Sequence, residues 1–122
     1  MKIRIRCEVN PTEDPEKVKK AVLNIFPDAE LELDGGELRG RAASLQRFRE
    51  ILAEQRIRDA ARSFLSQRTE EGHLLFSISK QAAYMGKISF GGMKPALGEI
   101  EIEIEDDDMD ALVRWLTDKV VI

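Results

Sequence analysis

The chain has 122 residues, with 19 basic and 23 acidic side chains, one histidine and a formal charge of −4. That length fits one α+β domain over residues 1–122, able to bury about two-thirds of its unfolded surface without a metal or disulfide. An apolar share of 43% with 34% charged residues excludes a disordered chain, and the longest apolar run, Ala82 to Met85, is too short to cross a membrane.

The opening MKIRIRCEVN alternates and contains no apolar leader stretch. Ile3, Ile5, Cys7 and Val9 fall on one phase, Lys2, Arg4, Arg6 and Glu8 on the other, so a half-buried strand is expected over 2–9. Cys7 lies on the apolar phase and reads as a small core residue. As the lone cysteine it excludes an internal disulfide and suits a reducing, cytoplasmic setting. Asn10-Pro11-Thr12 ends the strand. Asp14-Pro15 then looks like a cap followed by proline at the first helical position. Val18, Ala21, Val22 and Ile25 recur at helical spacing, which predicts a helix over about 15–26, stopped by Pro27-Asp28.

Leu31 and Leu33 alternate with Glu30, Glu32 and Asp34; after Gly35-Gly36, Leu38, Gly40 and Ala42 alternate with Glu37, Arg39 and Arg41. Asp-Gly-Gly between two alternating runs predicts a hairpin. From a cap at Ser44, a helical stretch runs to about Gln67. Its first apolar stripe is Leu45, Phe48, Ile51 and Leu52; its second is Ile57, Ala60, Ala61, Phe64 and Leu65. At helical geometry the two stripes lie roughly 170° apart. One straight rod cannot face a single core with both, so two helices with a break near Glu54-Gln55 are expected, although no Gly or Pro marks it.

Leu74, Phe76 and Ile78 predict a strand. Lys80 to Gly86 fits a strand, a bulge or a turn, and Ile88 with Phe90 a further short strand. Gly91-Gly92-Met93-Lys94-Pro95 reads as a loop. Glu99, Glu101, Glu103 and Glu105 then alternate with Ile100, Ile102 and Ile104, a strand. Asp106 to Asp108 cap a last helix with apolar positions Leu112, Val113, Leu116 and Val120. The expected order is β-α-β-β-α-α-β-β-β-α, a two-layer fold with a mostly antiparallel sheet packed by helices.

Charge is distributed unevenly. Residues 1–38 hold 6 basic and 9 acidic side chains, 39–68 hold 8 and 3, and 69–122 hold 5 and 11. All eight basic residues of the middle segment are arginines, whose planar fork suits phosphate. Four glutamates on one face of strand 99–105 would repel one another. Placing that strand beside 2–9 turns the repulsion into cross-strand pairs with Lys2, Arg4 and Arg6, so the two strands are expected to be neighbours and Arg4 and Arg6 structural. Two readings of the remaining charge stand. Arg39, Arg41, Gln55, Arg58 and Arg62 form either a solvated surface with ion pairs or a phosphate-binding face. Lys80, Gln81 and Lys87 either join that face or are solvated, with Gln81 satisfying backbone groups.

Catalytic chemistry has no visible residue set. His73 has no cysteine near it in sequence and reads as an exposed turn residue. The Asp106–Asp110 run lacks calcium-loop spacing and serves helix capping. None of the six serines sits in a nucleophile elbow. No cofactor and no metal are expected, and the protein is read as a non-enzyme.

Certain blocks resemble a known family. Pro11-Thr12-Glu13-Asp14-Pro15-Glu16-Lys17-Val18 and Asn24-Ile25-Phe26-Pro27 are similar to the opening of a small uncharacterised archaeal protein family. Ser44 to Glu50 with Gln55 to Arg62, and Lys80-Gln81-Ala82-Ala83 with Gly86-Lys87-Ile88-Ser89-Phe90, resemble its later blocks. Two positions depart from the pattern: Ser79 stands where the family favours Asn, and Gly98-Glu99-Ile100 where it favours Gly-Pro-Ile. The resemblance implies a fold similar to large-subunit ribosomal protein L-five and a link to RNA or translation. RNA is thus the expected partner. The alternative is a protein-interaction module or homodimer without nucleic acid.

Overall fold

The computed structural model describes residues 1–91 and 99–118. The expected loop beyond Gly91 and the apolar position Val120 lie outside the described residues. The elements are β1 (Lys2–Glu8), α1 (Pro15–Ile25), β2 (Glu30–Asp34), β3 (Glu37–Ala42), α2 (Gln46–Glu54), α3 (Arg58–Ser66), β4 (Thr69–Glu70), β5 (His73–Ser79), α4 (Lys80–Tyr84), β6 (Glu99–Glu105) and α5 (Met109–Thr117). The strands form one six-stranded sheet in the order β2-β3-β1-β6-β5-β4, antiparallel throughout.

Alternation fixes which side of the sheet is covered. Register aligns Ile3 with Ile104, Ile5 with Ile102 and Cys7 with Ile100, and then Leu74, Phe76 and Ile78 with the same three isoleucines of β6. All are buried in one cluster with Val22 and Ile25 of α1, Phe48 and Leu52 of α2, Leu65 of α3 and Leu116 of α5. The helices therefore share one face; the opposite phase is charged along β1, β2, β3 and β6, while on β5 it includes exposed Leu75 and buried Ser77.

The expected pairing of 2–9 with 99–105 is present. Arg4 stands opposite Glu103 and Arg6 opposite Glu101. The Arg4 guanidinium donates to Glu103 at 2.8 Å and to Glu105 at 3.2 Å, and Arg6 to Glu101 at 3.0 Å. The predicted hairpin turns on Gly35 and Gly36, both at positive φ (58° and 83°), as a two-residue turn between right-twisted strands requires. Asp14 caps α1 by accepting from the Glu16 amide.

The long helical stretch does break. Gln55, Arg56 and Ile57 separate α2 from α3, and Arg56 takes the left-handed conformation at φ 59° that a glycine would usually supply. Each helix then turns its own stripe to the core. Ser44 accepts from the Gln46 amide at 3.1 Å, while the capping position itself falls on Leu45.

Two expectations need correction. Lys80 to Tyr84 form a short helix, and Ile88–Phe90 is no strand: Phe90 makes a single bridge with Ile78. The order is β-α-β-β-α-α-β-β-α-β-α. Ser79 caps α4 by accepting from Ala82 N, Lys-Gln-Ala-Ala are all good helix formers, and Gly86 at φ 75° terminates the turn. Phe48 and Phe64 are packing residues, as expected; Phe64 stacks on Phe90 with ring centroids 4.4 Å apart.

Candidate nucleic-acid interface

The eight residues singled out from the sequence do not share one face. Arg39 and Arg41 lie on β3 opposite Arg6 and Arg4, so they point to the open side of the sheet. Gln55, Arg58 and Arg62 belong to the helical layer on the other side. The sheet separates the two groups.

Lys80 is buried, at 6% exposure. Its ammonium donates to the Glu8 carbonyl at 2.7 Å and to the Glu13 carboxylate at 2.9 Å. Glu13 also accepts from the Asn10 amide at 2.9 Å. That backbone hydrogen bond, with the one from Lys80, holds the Glu13 carboxyl below its ordinary range. The lysine thus ties α4 to β1 and to the start of α1, and its charge is not offered outward. Gln81 is exposed on α4, beside a groove that α4 forms with α1.

Gln55 has a definite role. Its side-chain amide donates to the Ile88 carbonyl at 2.9 Å, and its Oε1 accepts from the Ile88 amide at 2.6 Å. Ile88 is buried and lies in no strand, so Gln55 replaces the ladder partner that its backbone lacks. This two-point clamp fastens residue 88 to the α2–α3 elbow. Lys87 is the residue next to the clamped Ile88, as Arg56 is next to Gln55.

The arginines of the middle segment differ in how they are matched. Arg47 pairs with Glu50 and Glu54, both at 3.1 Å, and these contacts raise its pKa. Arg39 pairs with Glu37, with the same upward effect. Arg62 donates to Thr117 Oγ1 at 2.9 Å and pairs with Asp118, tying α3 to the end of α5. Arg49 donates to the Trp115 carbonyl and lies over its ring at 4.9 Å; the Arg68 guanidinium lies 3.5 Å from the Phe64 ring centroid. Arg41, Arg56 and Arg58 make no ion pair and no side-chain hydrogen bond among the described residues, and neither does Lys87. Arg56 lies in the elbow, Arg58 opens α3, Lys87 is next to the residue that Gln55 holds, and Arg62 is one turn further along α3.

Sequence reasoning missed Arg56. It sits between the two apolar stripes, where periodicity carries no information, and only its backbone conformation shows that it marks the elbow. Two further groups lie elsewhere. Cys7 is buried against the helices, and desolvation pushes its thiol pKa up. His73 opens β5 rather than a turn, and its Nδ1 lies 3.6 Å from both Glu103 and Glu105. These three are, among the described residues, a group that could hold a metal ion, but both carboxylates already accept from Arg4.

The open antiparallel sheet with its helices on one face defines an α+β domain, and a family model described as RNA binding matches residues 2–106. The chain belongs to that family, the archaeal UPF0201 proteins. A UPF0201 protein of Methanothermobacter thermautotrophicus is 40% identical over 122 residues, spanning 98% of this chain and 92% of that protein. A crystal structure of an uncharacterized UPF0201 protein superposes with a TM-score of 0.90 at 37% identity, covering 96% of this chain and 93% of that one. A UPF0201 structure from Methanococcus jannaschii gives 0.81 at 36% identity, covering 97% and 100%. No described helix is long and apolar enough to cross a membrane.

Proposed function

We propose that this chain is a non-enzymatic RNA-binding domain of the cytosol that grips phosphates with the α2–α3 elbow. The observation that carries the reading is that Arg56, Arg58 and Lys87, each within three residues of one end of the Gln55–Ile88 clamp, have no carboxylate partner among the described residues. Unmatched cations held on one surface favour a polyanion, and counterion release from the phosphates drives the association. Arg62 adds a guanidinium from the next turn of α3 while keeping its bond to Thr117, and exposed Gln81 offers an amide. Arg39 and Arg41 face the other way, and Lys80 acts through the scaffold. Phosphate contacts of this kind fix orientation and carry little base information. The likeness to large-subunit ribosomal protein L-five belongs to the same proposal.

Fluorescence anisotropy with a labelled structured RNA tests it. The Arg56→Ala/Arg58→Ala/Lys87→Ala variant should bind about a thousandfold more weakly, since each of the three charge-assisted contacts is worth about 1.5 kcal/mol. Equal affinity of the two proteins would refute the assignment. A dimer in light scattering that the triple variant dissolves would instead support an interaction module.

A further inference from the structure

The open face of the sheet carries a feature independent of the elbow. Register sets four charged columns side by side across it. Glu30 and Glu32 of β2 stand next to Arg41 and Arg39 of β3; these face Arg4 and Arg6 of β1, which border Glu103 and Glu101 of β6. Two arginine columns are therefore adjacent, with Arg4 directly across from Arg41 and Arg6 from Arg39. Opposed residues have Cβ atoms about 5 Å apart, and like charges so placed are destabilising. The carboxylates of β6 relieve Arg4 from one side only, whereas Arg6 also lies 3.7 Å from Glu37 of β3, the partner of Arg39, so the Arg4–Arg41 rung is the less compensated of the two. Arg41 has no ion pair among the described residues.

The columns line an open cleft of about 900 Å³. That is the size of a small-molecule site. Five basic side chains line it against four acidic ones, in a chain whose overall charge is −4. The two arginine rungs are two residues apart along the strands, about 6.8 Å. The cleft is thus positive along a narrow central track and negative on both margins.

We propose that this cleft binds a small ligand carrying two or more phosphates, of the nucleoside di- or triphosphate class. Its phosphates lie along the track between the arginine columns, where they replace the like-charge contact with charge-assisted hydrogen bonds. A short phosphate chain spans both rungs. The acidic margins repel a polyanion that continues across the sheet, which disfavours an RNA strand at this place. They also accept hydrogen bonds from the hydroxyl and amino groups of a sugar and base, which distinguishes a nucleotide from a bare inorganic anion.

Titration calorimetry and thermal shift on the full chain at low ionic strength, with ATP and with inorganic pyrophosphate as probes, test the site. Both probes should bind at one site and raise Tm, ATP more tightly. Arg41→Gln should weaken ATP about tenfold or more without lowering the ligand-free Tm, because no ion pair among the described residues is lost and one repulsion is removed. Arg39→Gln provides a second variant should Arg41→Gln not fold. Arg58→Ala should bind ATP as the parent does, so a failure of the RNA proposal leaves this one standing. The proposal is overturned by the absence of heat and thermal shift with both probes, or by ATP binding that Arg41→Gln leaves unchanged. RNA binding that Arg41→Gln abolishes while ATP fails to compete would also overturn it.

Discussion

Replacing Gln55 with alanine removes the clamp at the elbow. Two hydrogen bonds disappear, at 2.9 and 2.6 Å, and both belong to the backbone of Ile88, which is 3% exposed. A hydrogen bond contributes about 1 kcal/mol net, and a buried group left unsatisfied costs about 1–3 kcal/mol. Some water can reach the emptied position, because Gln55 itself is half-buried. A loss of about 2–3 kcal/mol is therefore expected. For a domain of this size that corresponds to a fall in Tm of roughly 6–15 °C. Chemical denaturation of Gln55→Ala beside the parent measures it. The same variant should bind RNA more weakly at a temperature where it is fully folded, since the segment carrying Lys87 is no longer fastened to the elbow. A change in stability under 0.5 kcal/mol would show that residue 88 is held by something else, and the clamp argument would fall.

Lys80→Met keeps the length of the stem but strands the Glu13 carboxylate; it should cost about 2 kcal/mol in urea unfolding and leave RNA affinity of the folded protein unchanged. A selective loss of RNA binding there would restore Lys80 as a contact residue. The lowered pKa of Glu13 means that its stabilisation is complete above the unfolded carboxylate value, about 4.3, and disappears as pH falls through the folded one. Glu13→Gln should therefore flatten the acid limb of a stability-against-pH curve and leave its neutral-to-basic shape alone. Gly40→Ala places a Cβ 2.5 Å from the Glu30 carbonyl oxygen and 2.5 Å from Leu31 Cδ2. The β2–β3 hairpin must shift to admit it, at about 1–3 kcal/mol by thermal melting, and an unchanged Tm would contradict that packing.

Features carried by local periodicity or by sign of charge could be read directly from the residues. Alternating arginines in 2–9 and glutamates in 99–105 predicted their pairing because each strand alone would repel itself. Two apolar stripes on opposite sides of one helical run required the break that Arg56 supplies. The hairpin followed from Asp34-Gly35-Gly36. Long-range partners were not readable in this way. Nothing near Gln55 in sequence indicates that its amide meets Ile88, 33 positions later. Lys80 looks like a solvated lysine until α4 folds it over Glu13. Arg4 and Arg6 were assigned to β6 on one side, and the placement of β3 on their other side, which aligns them with Arg41 and Arg39, depends on strand order rather than on either strand alone. The short helix α4 was hidden because Lys80 to Gly86 is too short for periodicity to separate a helical turn from a bulge.

The salt dependence of RNA binding tests the elbow most directly. With three to four phosphates contacted, log K against log salt should have a slope of about −2 to −3, and removing Arg56, Arg58 or Lys87 singly should reduce its magnitude by about one. A slope near zero, or one that all three substitutions leave untouched, would contradict the assignment of these cations to phosphate contacts.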